Sequence, residues 1–138
     1  MAAQKGVVTA GTWYCDHNKL VDEWPSEDGL ATIIAEEWHG GGSACNMAVD
    51  LKKFDTDFLV ETIAIIGDDE DRLLLLAEAD THGIERSSLR VVPSGRTNYT
   101  DAFASRATGR RTHLFFPGTN DLLAPDLFDF SETRASHL

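Results

Sequence analysis

The chain has 138 residues, 42% of them apolar, enough for one compact domain with a real core and too few for two. Its formal charge of −11, from 23 acids against 12 bases, excludes a nucleic-acid surface, which needs clustered Lys and Arg to neutralise phosphates. No apolar run reaches the roughly 18 residues of a membrane span, "MAAQKG" lacks the apolar centre of a signal peptide, and two distant cysteines imply neither a disulfide framework nor a CxxC knuckle, so a soluble protein in the reduced cytoplasm is expected.

In chain order, Gly6-Val7-Val8-Thr9-Ala10-Gly11 is a short apolar run closed by glycine, as in a buried strand that opens into a loop. The expected loop carries Trp13, Tyr14, Cys15 and Asp16. "DEWPSEDG", from Asp22 to Gly29, is acidic and turn-like, and "ATIIAE", from Ala31 to Glu36, has the pattern of a half-buried strand. After three glycines, Ala44, Met47, Ala48, Leu51 and Phe54 recur at spacings of three or four, predicting a helix with those residues on one face, Asp50, Lys52 and Lys53 on the other, and Ser43 as N-cap. "DFLVETIAIIGDD" is strand material ending in an acidic turn. Asp71 to His82 is a second helix, with Leu73, Leu76 and Ala77 sharing a face and Gly83 as a left-handed C-cap. This β-turn-α rhythm predicts a parallel sheet covered by helices. Thr97 to Arg106 and Arg111 to Phe116 are β-like runs joined by Ala107-Thr108-Gly109-Arg110, a hairpin whose Arg106, Arg110 and Arg111 form a solvated tip.

The stretch "EWHGGGSACNMA", from Glu37 to Ala48, raises the question of what the glycines hold. No glycine is followed by Lys and then Ser or Thr, so a P-loop is excluded. Gly40, Gly42 and Cys45 match two of the three positions of a dinucleotide fingerprint, with Glu61 near the place of a ribose-binding acid; the preceding "EEWH" is not the apolar strand that this motif follows. A serine elbow needs glycine where Cys45 stands. A tight strand-to-helix turn accounts for one glycine, whereas three point to a ligand against bare backbone. Asn46 at the same mouth offers a donor and acceptors, and a carboxylate such as Asp16 accepts two hydroxyl hydrogens, a pairing suited to an uncharged polyol. Cys15 with His17, and His39 with Cys45, match no closed zinc module, and the acidic run Asp68 to Asp71 suits a helix N-terminus; no metal is expected.

"GTWYCDHNKLVDEWP", "GGSACNMAVDLKKFD", "IAIIGDD", "HGI" and "GRRTHLFFPGTN" occur in the order and spacing of the ribokinase-like, or PfkB, carbohydrate kinase family, which this chain resembles over nearly its whole length. The resemblance implies an α/β fold: the N-terminal half of a Rossmann-type parallel sheet flanked by helices, with core segments at about 1–30 and 41–94 and a small β-lid from about 31–40 and 95–117. It implies a kinase that phosphorylates a sugar or nucleoside hydroxyl. Asp16, Gly41, Gly42 and Asn46 match the family's acceptor pocket, and Thr100 and Ala102 match lid positions facing the sugar. Tyr14 stands where ribose-specific members carry an amide and Ser43 where they often carry Lys, so ribose is not singled out.

Family members are about twice as long, and their second half carries a G-A-G-D motif whose helix N-terminus stabilises the transferring phosphoryl while its aspartate takes the hydroxyl proton. No such motif follows Gly109 here. The resemblance thus implies ATP and Mg2+ as cofactors of the longer enzyme and none bound by this chain alone. Truncation in mid-sheet leaves an edge strand, from which a homodimer or higher oligomer through that edge or the lid is expected. A non-catalytic sugar-binding or oligomerisation module, and a small dinucleotide-binding domain, are the alternatives.

Overall fold

The computed structural model describes residues 4–55 and 57–137, so the first three residues of the expected core, Thr56 and Leu138 lie outside the described residues. Two four-stranded sheets organise the chain. The first contains β1 (Gln4–Ala10), β4 (Leu59–Ile66), β5 (Leu89–Val91) and β8 (Ala135–His137) in the order β5-β4-β1-β8, with every pairing parallel. The second contains β2 (Tyr14–Val21), β3 (Ile33–Gly41), β6 (Tyr99–Ser105) and β7 (Arg111–Phe116) in the order β3-β2-β6-β7. In this lid sheet β2 runs antiparallel to β3 and parallel to β6, and β7 returns antiparallel to β6.

The parallel sheet forms because β4 is apolar on both sides, and both sides are covered. Val60, Ala64 and Ile66 join a buried cluster with Ala44, Cys45, Ala48 and Val49 of α1 (Ser43–Phe54) and Leu75 and Ala79 of α2 (Glu70–His82). Ile63 and Ile65 line a small space with Leu123, Leu127 and Phe128, from the two short 3₁₀ turns after the hairpin. Trp13, fully buried, donates from its indole nitrogen to Thr62 Oγ1 at 2.8 Å, joining the link between the sheets to the core strand.

Both helices start and stop for legible reasons, but their buried faces are rotated from the expected ones. α2 ends at Gly83 with φ 66°, as predicted, and begins at Asp69, whose carboxylate accepts from Arg72 N. Leu73 and Ala77 are exposed, and Leu75 and Ala79 are inside. In α1, Met47 and Phe54 are 57% and 95% exposed, whereas Cys45, Val49 and Lys52 are buried. Lys52 fits because its long apolar stem packs inward and its ammonium donates to Phe58 O at 3.0 Å. Ser43 is not the N-cap; Gly42 is, with φ 100° and no side-chain cap.

The main topological difference is β2. The expected loop after Gly11 is a full strand of the lid sheet, so 14–21, placed with the core from sequence, pairs with both β3 and β6. Its outward polar residues hide a strand whose edges are both satisfied by neighbours. The hairpin is as expected, closed by Gly109 at φ 70° and Ser105 N to Arg110 O at 2.9 Å.

Candidate functional site

Strand alternation builds the site. Tyr14, Asp16 and Asn18 share one face of β2, opposite Gly41, His39 and Glu37 of β3, while Thr100 and Ala102 stand in register with Asp16 and Asn18. His113 is paired with Ala102, and Phe115 with Thr100. The structure therefore brings Tyr14, Asp16, Gly41, Thr100 and Ala102 onto one surface. Gly42 lies around the bend, and Asn46 is one turn into α1, exposed, at the head of a groove shared with Ser43, Met47 and Asp50.

Each of the three glycines has its own reason within the chain. A Cβ on Gly40 would press on Cys45 Sγ and Glu78 Cγ at 3.2 Å and on Leu75 Cδ2 at 3.5 Å, so this glycine lets the lid pack on α2. Gly42 needs its positive φ and sits hard against the Thr12 carbonyl. At Gly41 the space of the missing Cβ is taken by the Asp16 carboxylate, with Tyr14 Cε2 at 3.0 Å. The expectation that all three lie bare for a ligand is thus corrected. Only Gly41 faces the candidate pocket, and there it seats Asp16.

Burial pushes the Asp16 carboxyl up from the usual carboxylate range, and His113, His39 and His17 pull it back down. The Tyr14 hydroxyl is also raised, first by burial, then by Asp16 and Cys45, against a hydrogen bond from the Gly42 N–H. His39 and His113 were not singled out for this site from sequence. The signal that finds them is period-two alternation, usable only once β2 is known to be a strand. A separate cavity of about 400 Å³ is lined by Asn18, Lys19, Glu36, Glu37, Ala102, Arg111 and His113, and Asp16 is not among its lining residues. Arg106, Arg110 and Arg111 are all exposed, as expected of a solvated tip, and Arg111 also borders this cavity.

On the opposite face, His17 lies between two carboxylates, Nε2 3.1 Å from Asp71 Oδ1 and Nδ1 3.6 Å from Asp101 Oδ1, and stacks on Tyr99 at 4.8 Å. Cys15 Sγ, His17 and Asp71 offer ligand atoms within 4.8 Å of one another, the geometry of a partial metal site. Burial, followed by Asp71, Asp69 and Asp16, pushes the Cys15 thiol far up, so it is protonated and donates to Asp71 O at 3.4 Å. As it stands the trio ties lid strand β2 to α2.

The features of a dinucleotide site do not assemble. The strand before the glycines belongs to the antiparallel side of the lid, and the Glu61 carboxylate accepts from Arg134 N at 3.0 Å and Ala135 N at 2.8 Å, anchoring β8. The helix N-termini are engaged in part from within the chain. Thr12 Oγ1 takes the Ser43 N–H at 3.2 Å, and α2 is capped by Asp69 with Glu70 and Asp71 in its first turn.

A parallel sheet with helices, joined to a four-stranded lid whose carboxylate rests on a glycine strand end, is the ribokinase-like α/β fold over part of its extent, and the expected resemblance to that family is borne out at this level. No family model matches the chain. In sequence it is similar to an ATP-dependent ribose-1-phosphate kinase from Halopiger xanaduensis, 29% identical over 133 residues, which are 96% of this chain and 44% of that relative. Among solved structures it is similar to a ribokinase from Thermotoga maritima (TM-score 0.80, 23% identity, 92% of this chain and 41% of that one). A nucleoside kinase of the ribokinase family from Methanocaldococcus jannaschii gives a TM-score of 0.77 at 18% identity, covering 98% of this chain and 44% of that one. The chain thus spans less than half the length of these relatives.

Proposed function

We propose that these residues form the acceptor-binding half of an ATP-dependent PfkB-type kinase that phosphorylates a sugar or nucleoside hydroxyl. The observation that carries this reading is the Asp16 carboxylate resting on Gly41, on one sheet face with Tyr14 and Thr100. An ionised carboxylate in a half-buried cup accepts two hydroxyl hydrogens, which orients a polyol and leaves another hydroxyl to be the acceptor. Ala102 stands on the wall of the neighbouring cavity, and Asn46 lies in a separate groove on α1. The activity in the name of the Halopiger xanaduensis relative and the fold shared with the two solved kinases support the reading.

On this reading the kinase uses ATP, as the name of the Halopiger xanaduensis relative states, with Mg2+. On the same reading the chain alone binds the acceptor and transfers no phosphate. The role of these residues is to position the acceptor and keep water from it. Titration of the chain with ribose and with nucleosides by calorimetry tests the reading: binding that disappears in Asp16→Asn supports it, and no binding to either class ends it. A turnover assay of the isolated chain that reached the ~1–100 s⁻¹ of ordinary kinases would overturn the division of labour.

Exposed Ile33, Trp38, Leu114 and Phe115 on the lid favour a homodimer or higher oligomer through that sheet, with edge strand β8 as the other contact. A monomeric mass across concentrations by light scattering would exclude it. This surface also favours, as a second reading, a non-catalytic binding or oligomerisation module, distinguished by whether the chain joined to an ATP-binding half regains activity. Among the described residues no helix is long and apolar enough to cross a membrane, and a cytoplasmic location is part of the proposal.

A further inference from the structure

On the face of β2 turned away from Asp16, three different ligand types converge. Cys15 and His17 stand two apart on the strand and so point the same way, and Asp71, 54 residues beyond His17, comes from the first turn of α2. One ligand atom from each lies within 4.8 Å of the other two, and among the described residues this is the one such trio. A tetrahedral centre with bonds of about 2.0–2.3 Å holds its donors about 3.3–3.5 Å apart. His17 Nε2 and Asp71 Oδ1 are already 3.1 Å apart, so only the sulfur has to close in. The imidazole is also oriented as a ligand needs. Its other nitrogen, Nδ1, faces Asp101 Oδ1 at 3.6 Å, from the strand position in register with His17, and the ring is stacked on Tyr99 at 4.8 Å and edge-on to Trp38 at 5.9 Å. A carboxylate behind the far nitrogen keeps the proton on Nδ1 and turns the Nε2 lone pair toward Asp71. The neighbouring cations are engaged elsewhere, Lys19 with Asp101 and Arg72 with Asp68. Cys15 is fully buried, whereas the His17 and Asp71 side chains are 15% and 25% exposed, so an ion can enter from their side and keep a water there.

We propose that Cys15 Sγ, His17 Nε2 and an Asp71 carboxylate oxygen bind one Zn2+ ion, with water as the fourth ligand, and that the ion clamps lid strand β2 to helix α2. Sulfur, imidazole and carboxylate together suit zinc, whereas Mg2+ and Ca2+ take oxygen donors alone. On binding, the S–H bond of Cys15, which donates to Asp71 O at 3.4 Å, gives way to an S–Zn bond, and the proton leaves to solvent. Thiolate and carboxylate then balance the two charges of the ion. Asp101 acts behind His17 as a positioning residue. Because Asp16 sits between Cys15 and His17 with its side chain on the other face, the ion holds the strand that carries it, yet the zinc site stands whether or not Asp16 binds an acceptor.

The test strips the 138-residue chain with a chelator and titrates it with Zn2+ by calorimetry and with Co2+ by absorption. The expected result is one equivalent of Zn2+ per chain, with Mg2+ giving no binding. Co2+ is expected to show a thiolate charge-transfer band and the intense visible bands of a four-coordinate site, and Zn2+ at about 100 times its Kd to raise Tm by roughly 10 °C. Cys15→Ser removes the charge-transfer band and the Tm shift. Asp101→Asn, on a partly exposed side chain, keeps the band and weakens Zn2+ about 10–100-fold, the usual loss for a partner behind a ligating histidine, so the assignment stays testable should Cys15→Ser fail to fold. Cys45→Ala and His82→Gln keep one equivalent and the same spectrum. A wild-type chain that binds no Zn2+, a Co2+ spectrum without the thiolate band, or an Asp101→Asn chain that binds Zn2+ like wild type overturns the site as drawn, and each leaves the acceptor reading untouched.

Discussion

Gly41→Ala separates a pocket glycine from packing glycines. The added Cβ falls on the Asp16 carboxylate and within 3.0 Å of Tyr14 Cε2, and 3.2 Å from Asp16 Cγ. The atoms that must move are ends of half-buried side chains, not backbone, so the stability loss belongs at the low end of the ~1–3 kcal/mol of overpacking, about 1 kcal/mol, or a fall of about 3–5 °C in Tm. Binding suffers more. A displaced Asp16 forfeits two charge-assisted hydrogen bonds of ~1.5–3 kcal/mol each, so ribose affinity falls by about 100-fold or more. Gly40→Ala is the comparator, because its Cβ meets Cys45, Glu78 and Leu75 on the side of α2 and leaves Asp16 in place. Scanning calorimetry and titration with ribose measure both quantities. A Gly41→Ala chain that binds like wild type, or a Gly40→Ala chain that loses as much affinity, refutes the assignment of Asp16 and Gly41 to one acceptor cup.

Asp16→Asn raises stability at about pH 7 while abolishing sugar binding. Burial raises the folded-state pKa of Asp16, so its favourable contribution belongs to the protonated form at low pH and is lost as pH rises through that pKa; the two chains converge in thermal melts below about pH 3.5. Trp13→Phe removes the indole donor to Thr62 and leaves a void in a fully buried site, and urea titration is expected to show a loss of ~2–4 kcal/mol. Asp69→Ala deletes the α2 cap and the acceptor for Thr97 N at 2.8 Å and Thr97 Oγ1 at 2.6 Å, for ~2–3 kcal/mol in the same assay, with unchanged stability counting against the link. Burial raises both thiols, Cys45 to about 12, so neither reacts with Ellman's reagent in the native chain and both react in denaturant; rapid native labelling would contradict the packing.

Wherever local chemistry alone decides, the sequence was sufficient. The mostly apolar run of β4, the glycine stop at Gly83 and the glycine turn of the 99–116 hairpin each follow from residues within a few positions, and together they specify a parallel α/β core with an antiparallel appendage. Asp16 and the glycines were legible as a candidate site through the polarity of one and the small size of the others.

Only the tertiary structure decided which face each element turns inward and how β2 pairs. "YCDHNKLV" is a strand because β3 and β6 satisfy its backbone on both edges, a condition no local pattern encodes. In α1, Met47 and Phe54 match the apolar period yet stay outside, because the sheet meets the helix along the small residues Ala44, Cys45 and Ala48, which allow closer approach. His113 and Arg111 joined this face by cross-strand register with residues eleven and seven positions away in sequence, Ala102 with His113 and Ala104 with Arg111, on one face with Asp16. Sequence determines which side chains can carry charge and hydroxyl chemistry; strand pairing, set by hydrogen bonds between distant segments, determines which of them share a surface.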